Sequence, residues 1–347
     1  MQPIQTALCS FGMSGRVFHA PFIQSNPHFN LYGVWERTQE AAAAIYPSIQ
    51  SFHTLEDLLA NRTIELVVVN TPTVTHYAYA KMALLAGKHV IVEKPFTGTC
   101  AEAQELIDLA KQMNLKLSVY HNRRFDSDYR TIQKILKQKV LGEIVEAEFH
   151  FDRYNENLSP KAHKETPGIG VGVLYDLGSH LIDQALQLFG LPDSIYADLM
   201  AMRPGSLVDD YFELIFFYPT MRVRLKASYL TCEALPGYVI HGRNGSFIKS
   251  KTNIQEETLL AGISPSNEEW GIEPATEHGL LSTCINGIKH KEQIVSEKGN
   301  YGDFYTAIYE SIRNDAAMPV QPEEALKVIA VIRAAFKSNQ EKLRVDL

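Results

Sequence analysis

Leu66-Val67-Val68-Val69 and Val90-Ile91-Val92 are apolar throughout and too short to be helices, so each reads as a strand with no face to spare for water. A parallel sheet covered by helices on both sides provides that environment. Similar short runs, Ile4 to Cys9, Leu31 to Trp35 and Leu117 to Tyr120, with a weaker one near Ser51, alternate with helix-like segments through the first 120 residues. Thr54 with Asp57 and Thr99 with Glu102 carry the spacing of helix N-termini, where a side-chain oxygen satisfies a free N–H. Gly87 and Asn114 stand where helices must stop in a left-handed residue. The first part of the chain is therefore expected to be a doubly wound α/β domain.

After His121-Asn122-Arg123-Arg124 the texture changes. A helix over 126–137 leads to an alternating strand, Ile144 to Phe151, and a Gly-rich loop enters a helix over 174–189, stopped by Gly190 and Pro192. Strand-rich stretches near 195–202, 210–218, 221–231 and 237–249 follow at the spacing of an antiparallel meander. Two helices close the chain, over 303–313 and 323–340, while the polar stretch 251–300 reads as loops. The expected division is residues 1–122, a Rossmann-type domain, and 123–347, an α+β domain built on a large, open, mostly antiparallel sheet. A large sheet with one face uncovered by its own helices would leave apolar surface, which motivates the expectation of a homodimer or homotetramer joined through it.

Net charge is −7, from 33 Lys and Arg against 40 Asp and Glu, and no basic run exceeds two residues. Nothing here favours nucleic acid or an anionic membrane, so the partner is expected to be a small molecule. Cys9, Cys100, Cys232 and Cys284 lie far apart without metal-ligand spacing, so no metal is expected and the thiols read as reduced. No apolar stretch reaches the ~20 residues of a membrane span. With no signal-peptide pattern, a cytoplasmic location is expected.

Chemistry collects at strand ends. Ser10-Phe11-Gly12-Met13-Ser14-Gly15-Arg16 follows the first strand and opens a helix, where glycine lets a backbone approach a pyrophosphate and free N–H groups meet it. The second strand ends in Glu36-Arg37: the acid favours the ribose hydroxyls of NAD, the guanidinium a 2′-phosphate of NADP, and the two signals conflict. Asn70-Thr71-Pro72 ends the fourth strand with His76 one turn on, and Glu93-Lys94-Pro95 ends the fifth. Asp176, His180 and Asp183 share helical spacing, so they project from neighbouring positions on one face.

Gly12-Met13-Ser14-Gly15, Arg16-Val17-Phe18-His19-Ala20-Pro21, Asn70-Thr71-Pro72 and Glu93-Lys94-Pro95 together resemble the Gfo/Idh/MocA oxidoreductases. So do Arg123-Arg124-Phe125-Asp126, Arg153-Tyr154 and the stretch from Gly170 to Asp183, especially in the inositol dehydrogenase-like branch. The resemblance implies an NAD- or NADP-dependent enzyme moving a hydride between nicotinamide and a hydroxyl or carbonyl carbon of a sugar, inositol or related polyol, in a cleft between the domains. It implies catalytic roles for Lys94, Asp176 and His180, with Asn122 among the cofactor contacts and Arg123, Arg153 and Tyr154 toward substrate. Two rivals stand beside it: an NAD-dependent glycosidase of the same superfamily, and a dinucleotide- or sugar-binding protein without turnover.

Overall fold

The structure is a computed structural model describing residues 2–347, His163 by its backbone alone. The chain forms two compact units. The first comprises residues 1–122 together with 255–270 and 300–326, the second 123–254, 271–299 and 327–347. The opening segment of the first unit ends at Asn122. The assignment of all of 123–347 to the second domain differs from the structure, because two later segments return to the first unit.

The first unit is built on six parallel strands: β1 (Ile4–Leu8), β2 (Phe29–Trp35), β3 (Gln50–Phe52), β4 (Leu66–Val69), β5 (His89–Glu93) and β6 (Leu117–Tyr120). Their order is β3-β2-β1-β4-β5-β6. Strands β4 and β5 are fully buried along Val67 to Val69 and Val90 to Val92, as their unbroken apolar runs require. The order of strand addition reverses between β1 and β4, which opens a crevice at the carboxyl ends of those strands. Thr99 makes a complete capping box with Glu102, and Thr54 accepts from the Asp57 N–H. Gly87 and Asn114 have φ of 75° and 53°, as their helix-stop positions demand.

Aromatic packing explains the return of the later segments. The helix Gly302–Asn314 brings Tyr305 against Phe29 at 5.6 Å and Phe304 against Tyr120 at 4.9 Å, while Trp270 meets Phe22 at 5.7 Å between ring centroids. Burying a ring or branched aliphatic side chain contributes about 1.5–3 kcal/mol, so these contacts bind the segment to the unit.

The second unit carries nine strands: β7 (Ile144–His150), β8 (Ser194–Met200), β9 (Tyr211–Phe217), β10 (Arg222–Ser228), β11 (Tyr238–Gly242), β12 (Gly245–Lys249), β13 (Gly279–Ile285), β14 (Ile288–Ile294) and β15 (Val345–Asp346). Their order is β14-β13-β12-β11-β7-β10-β9-β8-β15, antiparallel except where β7 meets β10. One face is apolar: Phe149, Leu214, Leu225 and Phe247 pack with Leu181, Ile182 and Ala185 of the helix Ser179–Phe189. The opposite face, expected to be apolar, instead presents charges, with Arg224 bonding Glu146 and Glu148.

The stretch 251–300, read as loops, needs correction. It holds a helix, Ile254–Leu260, and the hairpin β13–β14. Strand β14 is solvent-exposed nearly throughout, so no apolar alternation marks it. The hairpin was nevertheless signalled by its turn, since Asn286 and Gly287, at φ 52° and 80°, are the residue pair such a turn selects.

Candidate active site

In the first unit the turn after β1 is held by Asn70 at the tip of β4. Asn70 Oδ1 accepts from the Ser10 N–H at 3.0 Å and its Nδ2 donates to the Ser10 carbonyl at 2.9 Å. A Cβ on Gly15 would stand 2.3 Å from that carbonyl, so Gly15 is required by packing. At Gly12 the nearest atom to an added Cβ is the Ser10 hydroxyl at 3.9 Å, so the fold itself does not demand a glycine there. A small residue where the protein leaves room suits a phosphate-bearing ligand that fills it, and this cradle fits a dinucleotide. Met13 and Arg16 are exposed on the same turn.

Beside it lies a pocket of about 660 Å³ lined by Ser10, Gly12, Trp35, Arg37, Thr71 and Tyr79 among others. Glu36 also borders it, but both of its oxygens are engaged: Oε1 accepts from the Ala41 N–H at 3.2 Å and Oε2 from the Ala42 N–H at 3.1 Å, at the start of the short helix Ala41–Ile45. Arg37, in contrast, is exposed, and among the described residues no carboxylate lies within ion-pair distance of it.

At the tips of β4 and β5 the polar groups interlock. His76, buried, directs Nδ1 at the Pro95 carbonyl (2.9 Å) and Nε2 at the Thr71 carbonyl (2.8 Å), so both nitrogens face backbone of the strand-end loops. Burial pushes its pKa below the usual histidine value, so the neutral ring makes one of these bonds with its single N–H. Glu93 receives the Ser14 hydroxyl, His19 Nε2 at 2.9 Å and the Lys94 N–H at 3.0 Å. Burial pushes its carboxyl upward, but His19, Ser14 and the Lys94 charge outweigh that and hold it down at about 2. Lys94 follows directly, half-buried, and Asn122, just past β6, is buried.

In the second unit a short π-helical turn, Leu174–Gly178, carries half-buried Asp176 and runs into Ser179–Phe189 with buried His180. Asp209 Oδ2 accepts from the Leu174 N–H at 2.8 Å and so caps the turn. Gly172, at φ 100°, is fixed by that carboxylate, which would meet a Cβ at 2.1 Å. Asp183 lies on the same helix, yet it is paired with Arg124 through bonds of 2.8 and 2.6 Å, which makes it an anchor. The His180 ring is 6.5 Å from that of Phe151, over which Arg123, Arg153 and Lys251 all stand, at 5.1, 5.3 and 4.7 Å. Arg123 bonds Asn253 and Asp126, whereas the Arg153 guanidinium meets no carboxylate within ion-pair distance among the described residues. Tyr154 is exposed and donates to Glu156 at 2.9 Å.

Sequence reasoning missed His19 and Tyr305, Phe151, Lys251 and Asp209. His19 lies within a quoted motif and could have been singled out. The others depend on contacts distant in sequence, which no local pattern announces. Among the described residues there is no group of three or more His, Cys, Asp or Glu able to hold a metal, and no helix is long and apolar enough to cross a membrane.

Known proteins share this plan. Residues 4–121 match the oxidoreductase family's NAD-binding Rossmann fold and residues 133–347 its C-terminal alpha/beta domain. The chain is 37% identical to the scyllo-inositol 2-dehydrogenase (NADP(+)) IolW of Bacillus subtilis (strain 168), over 99% of this chain and 96% of that one. It is also 37% identical to YdgJ of Escherichia coli (strain K12), an uncharacterized oxidoreductase, covering 99% of each. A solved structure from Bacteroides fragilis, 45% identical, superposes with a TM-score of 0.91 over the whole of both chains. That of yvaA from Bacillus subtilis, 37% identical, gives 0.97 over 100% of this chain and 99% of the other.

Proposed function

This chain belongs to the Gfo/Idh/MocA oxidoreductase family, and on that premise we propose that it is an NADP-dependent dehydrogenase or reductase of an inositol, sugar or related polyol. The observation that carries the cofactor choice is the engagement of Glu36. Its two oxygens already accept the Ala41 and Ala42 N–H groups, which ties the carboxylate to the helix start and weakens its claim on the adenosine ribose, while Arg37 presents an unneutralised guanidinium to the same pocket. A bound nicotinamide supplies the hydride acceptor or donor. The His180 imidazole takes the proton of the reacting hydroxyl, the Lys94 ammonium stabilises the oxygen as it becomes a carbonyl, and Asp176 orients substrate. Arg153, over Phe151, is placed to bond substrate oxygens.

The test follows absorbance at the reduced-nicotinamide band with NADP and NAD against inositols, aldoses and lactones. The reading expects NADPH formation from a polyol, with kcat/KM at least about tenfold above that with NAD. Arg37→Ala should erase most of the difference, a loss on the scale of one charge-assisted hydrogen-bond site. His180→Ala should lower turnover by ~10² or more at unchanged cofactor affinity. Cofactor binding without turnover on any substrate would instead make this a binding protein, and cleavage of a glycoside without net NADPH would make it a glycosidase. We also propose a homo-oligomer joined through the charged face of the second sheet, which sedimentation as a monomer at micromolar concentration would defeat.

A further inference from the structure

Glu93 is the centre of a buried chain of hydrogen bonds that the hydride-transfer reading leaves unused. Tyr305, on the helix Gly302–Asn314, places its hydroxyl 2.6 Å from His19 Nδ1, and His19 Nε2 lies 2.9 Å from Glu93 Oε1. Tyr305 and His19 are fully buried. Burial pushes the Tyr305 phenol well above its usual range, so the hydroxyl keeps its proton while lying within hydrogen-bond distance of His19 Nδ1. Glu93, a carboxylate, can only accept, so His19 Nε2 carries the proton of that bond. The Ser14 hydroxyl and the Lys94 N–H complete the set. Three donors thus hold the carboxylate in place, and the Lys94 charge acts on it as well.

The position of this charge matters. The adenosine pocket lies at the β2 side of the switch point, so a dinucleotide laid across β1 ends over the tips of β4 and β5, where Glu93 and Lys94 are found. An oxidised nicotinamide ring is a cation and a reduced one is neutral. Next to the Lys94 ammonium, the oxidised ring would be repelled unless an anion offset it.

We propose that Glu93 is the fixed counter-charge that lets this site hold the oxidised cofactor beside Lys94, with His19 and Tyr305 as positioning residues that keep the carboxylate aimed and charged. The proposal rests on the cofactor reading above. It reaches beyond it by assigning the balance between the two redox forms to a single half-buried side chain.

Equilibrium dialysis with NADP⁺ and with NADPH tests it directly. Glu93→Gln should raise the ratio of the NADP⁺ Kd to the NADPH Kd about tenfold, the scale of one unit charge acting over several ångströms at a protein-like dielectric, while the NADPH Kd stays within about twofold. Glu93→Asp, which keeps the charge, should leave the ratio within about twofold of wild type, and Tyr305→Phe should move it about threefold in the direction of Glu93→Gln. A role confined to holding the turn would weaken both forms alike in Glu93→Gln, and that result overturns the proposal. If Glu93→Gln does not fold, the ratio in Tyr305→Phe against Glu93→Asp decides: movement in the first alone upholds the proposal, movement in neither overturns it. Wild-type protein that binds neither form would instead sink the cofactor reading, an outcome distinct from binding both with an unchanged ratio.

Discussion

Three carboxylates of the second unit are paired with cations, whereas Glu36 and Glu93 of the first are held by hydrogen-bond donors. In the second, Asp183 faces the Arg124 guanidinium, Glu273 the Lys249 ammonium with both side chains fully buried, and Asp210 the Arg203 guanidinium. In the first, Glu36 is held by two backbone N–H groups and Glu93 by a hydroxyl, an imidazole and an N–H. A full cation cancels the anion and leaves an anchor. Dipoles stabilise the charge but leave its field in place, available to a ligand. The difference separates carboxylates that hold the fold together from one that can act on what binds.

Removing a cation from the second unit should have the largest effect on stability. Lys249→Met strands Glu273 and should cost ~3–5 kcal/mol in urea unfolding, with most of it regained in the double variant Lys249→Met, Glu273→Leu, because a well-packed apolar pair replaces a buried ion pair at little net cost. Next come two pH effects of opposite sign. The Glu93 pKa is depressed to about 2 from 4.5, so its contribution is present above about pH 4.5 and is lost as pH falls through 2; wild type should shed up to ~3 kcal/mol there relative to Glu93→Gln. Asp209, without a cation, is pushed by burial to about 6 from 3.8, so the stability it lends is full below about pH 4 and is lost as pH rises through 6; relative to Asp209→Asn, wild type should lose ~2–3 kcal/mol between pH 4 and 8. The smallest effect is expected from removing a single dipole: Ser14→Ala should cost about 1 kcal/mol by thermal melting, and a cost near that of Lys249→Met would break the contrast between the units.

Much of this architecture is legible without coordinates. Unbroken Val67-Val68-Val69 and Val90-Ile91-Val92 demanded burial on both sides, and the capping pairs and left-handed stops bracketed helices that form. Illegible were features decided across the chain. Glu36 and Arg37 sent conflicting signals because the partners that occupy Glu36, Ala41 and Ala42, are backbone N–H groups, which leave no mark in residue types. Tyr305 stands 286 residues from His19, and the segment carrying it joins the first unit by ring packing with Phe22 and Phe29. Strand β14 escaped because it buries too little for a hydrophobic pattern, although Asn286-Gly287 announced its turn.

The double duty of Glu36 reaches into the evolution of such chains. Glu40, at the head of the helix Ala41–Ile45, supplies no side-chain cap, so freeing Glu36 for an adenosine ribose would leave that helix without its acceptors. A lineage drifting toward the unphosphorylated coenzyme therefore has to install a new polar residue near position 40 before, or together with, any loss of Arg37. On the proposed cofactor reading, coenzyme preference is guarded by a neighbouring helix as much as by the pocket itself.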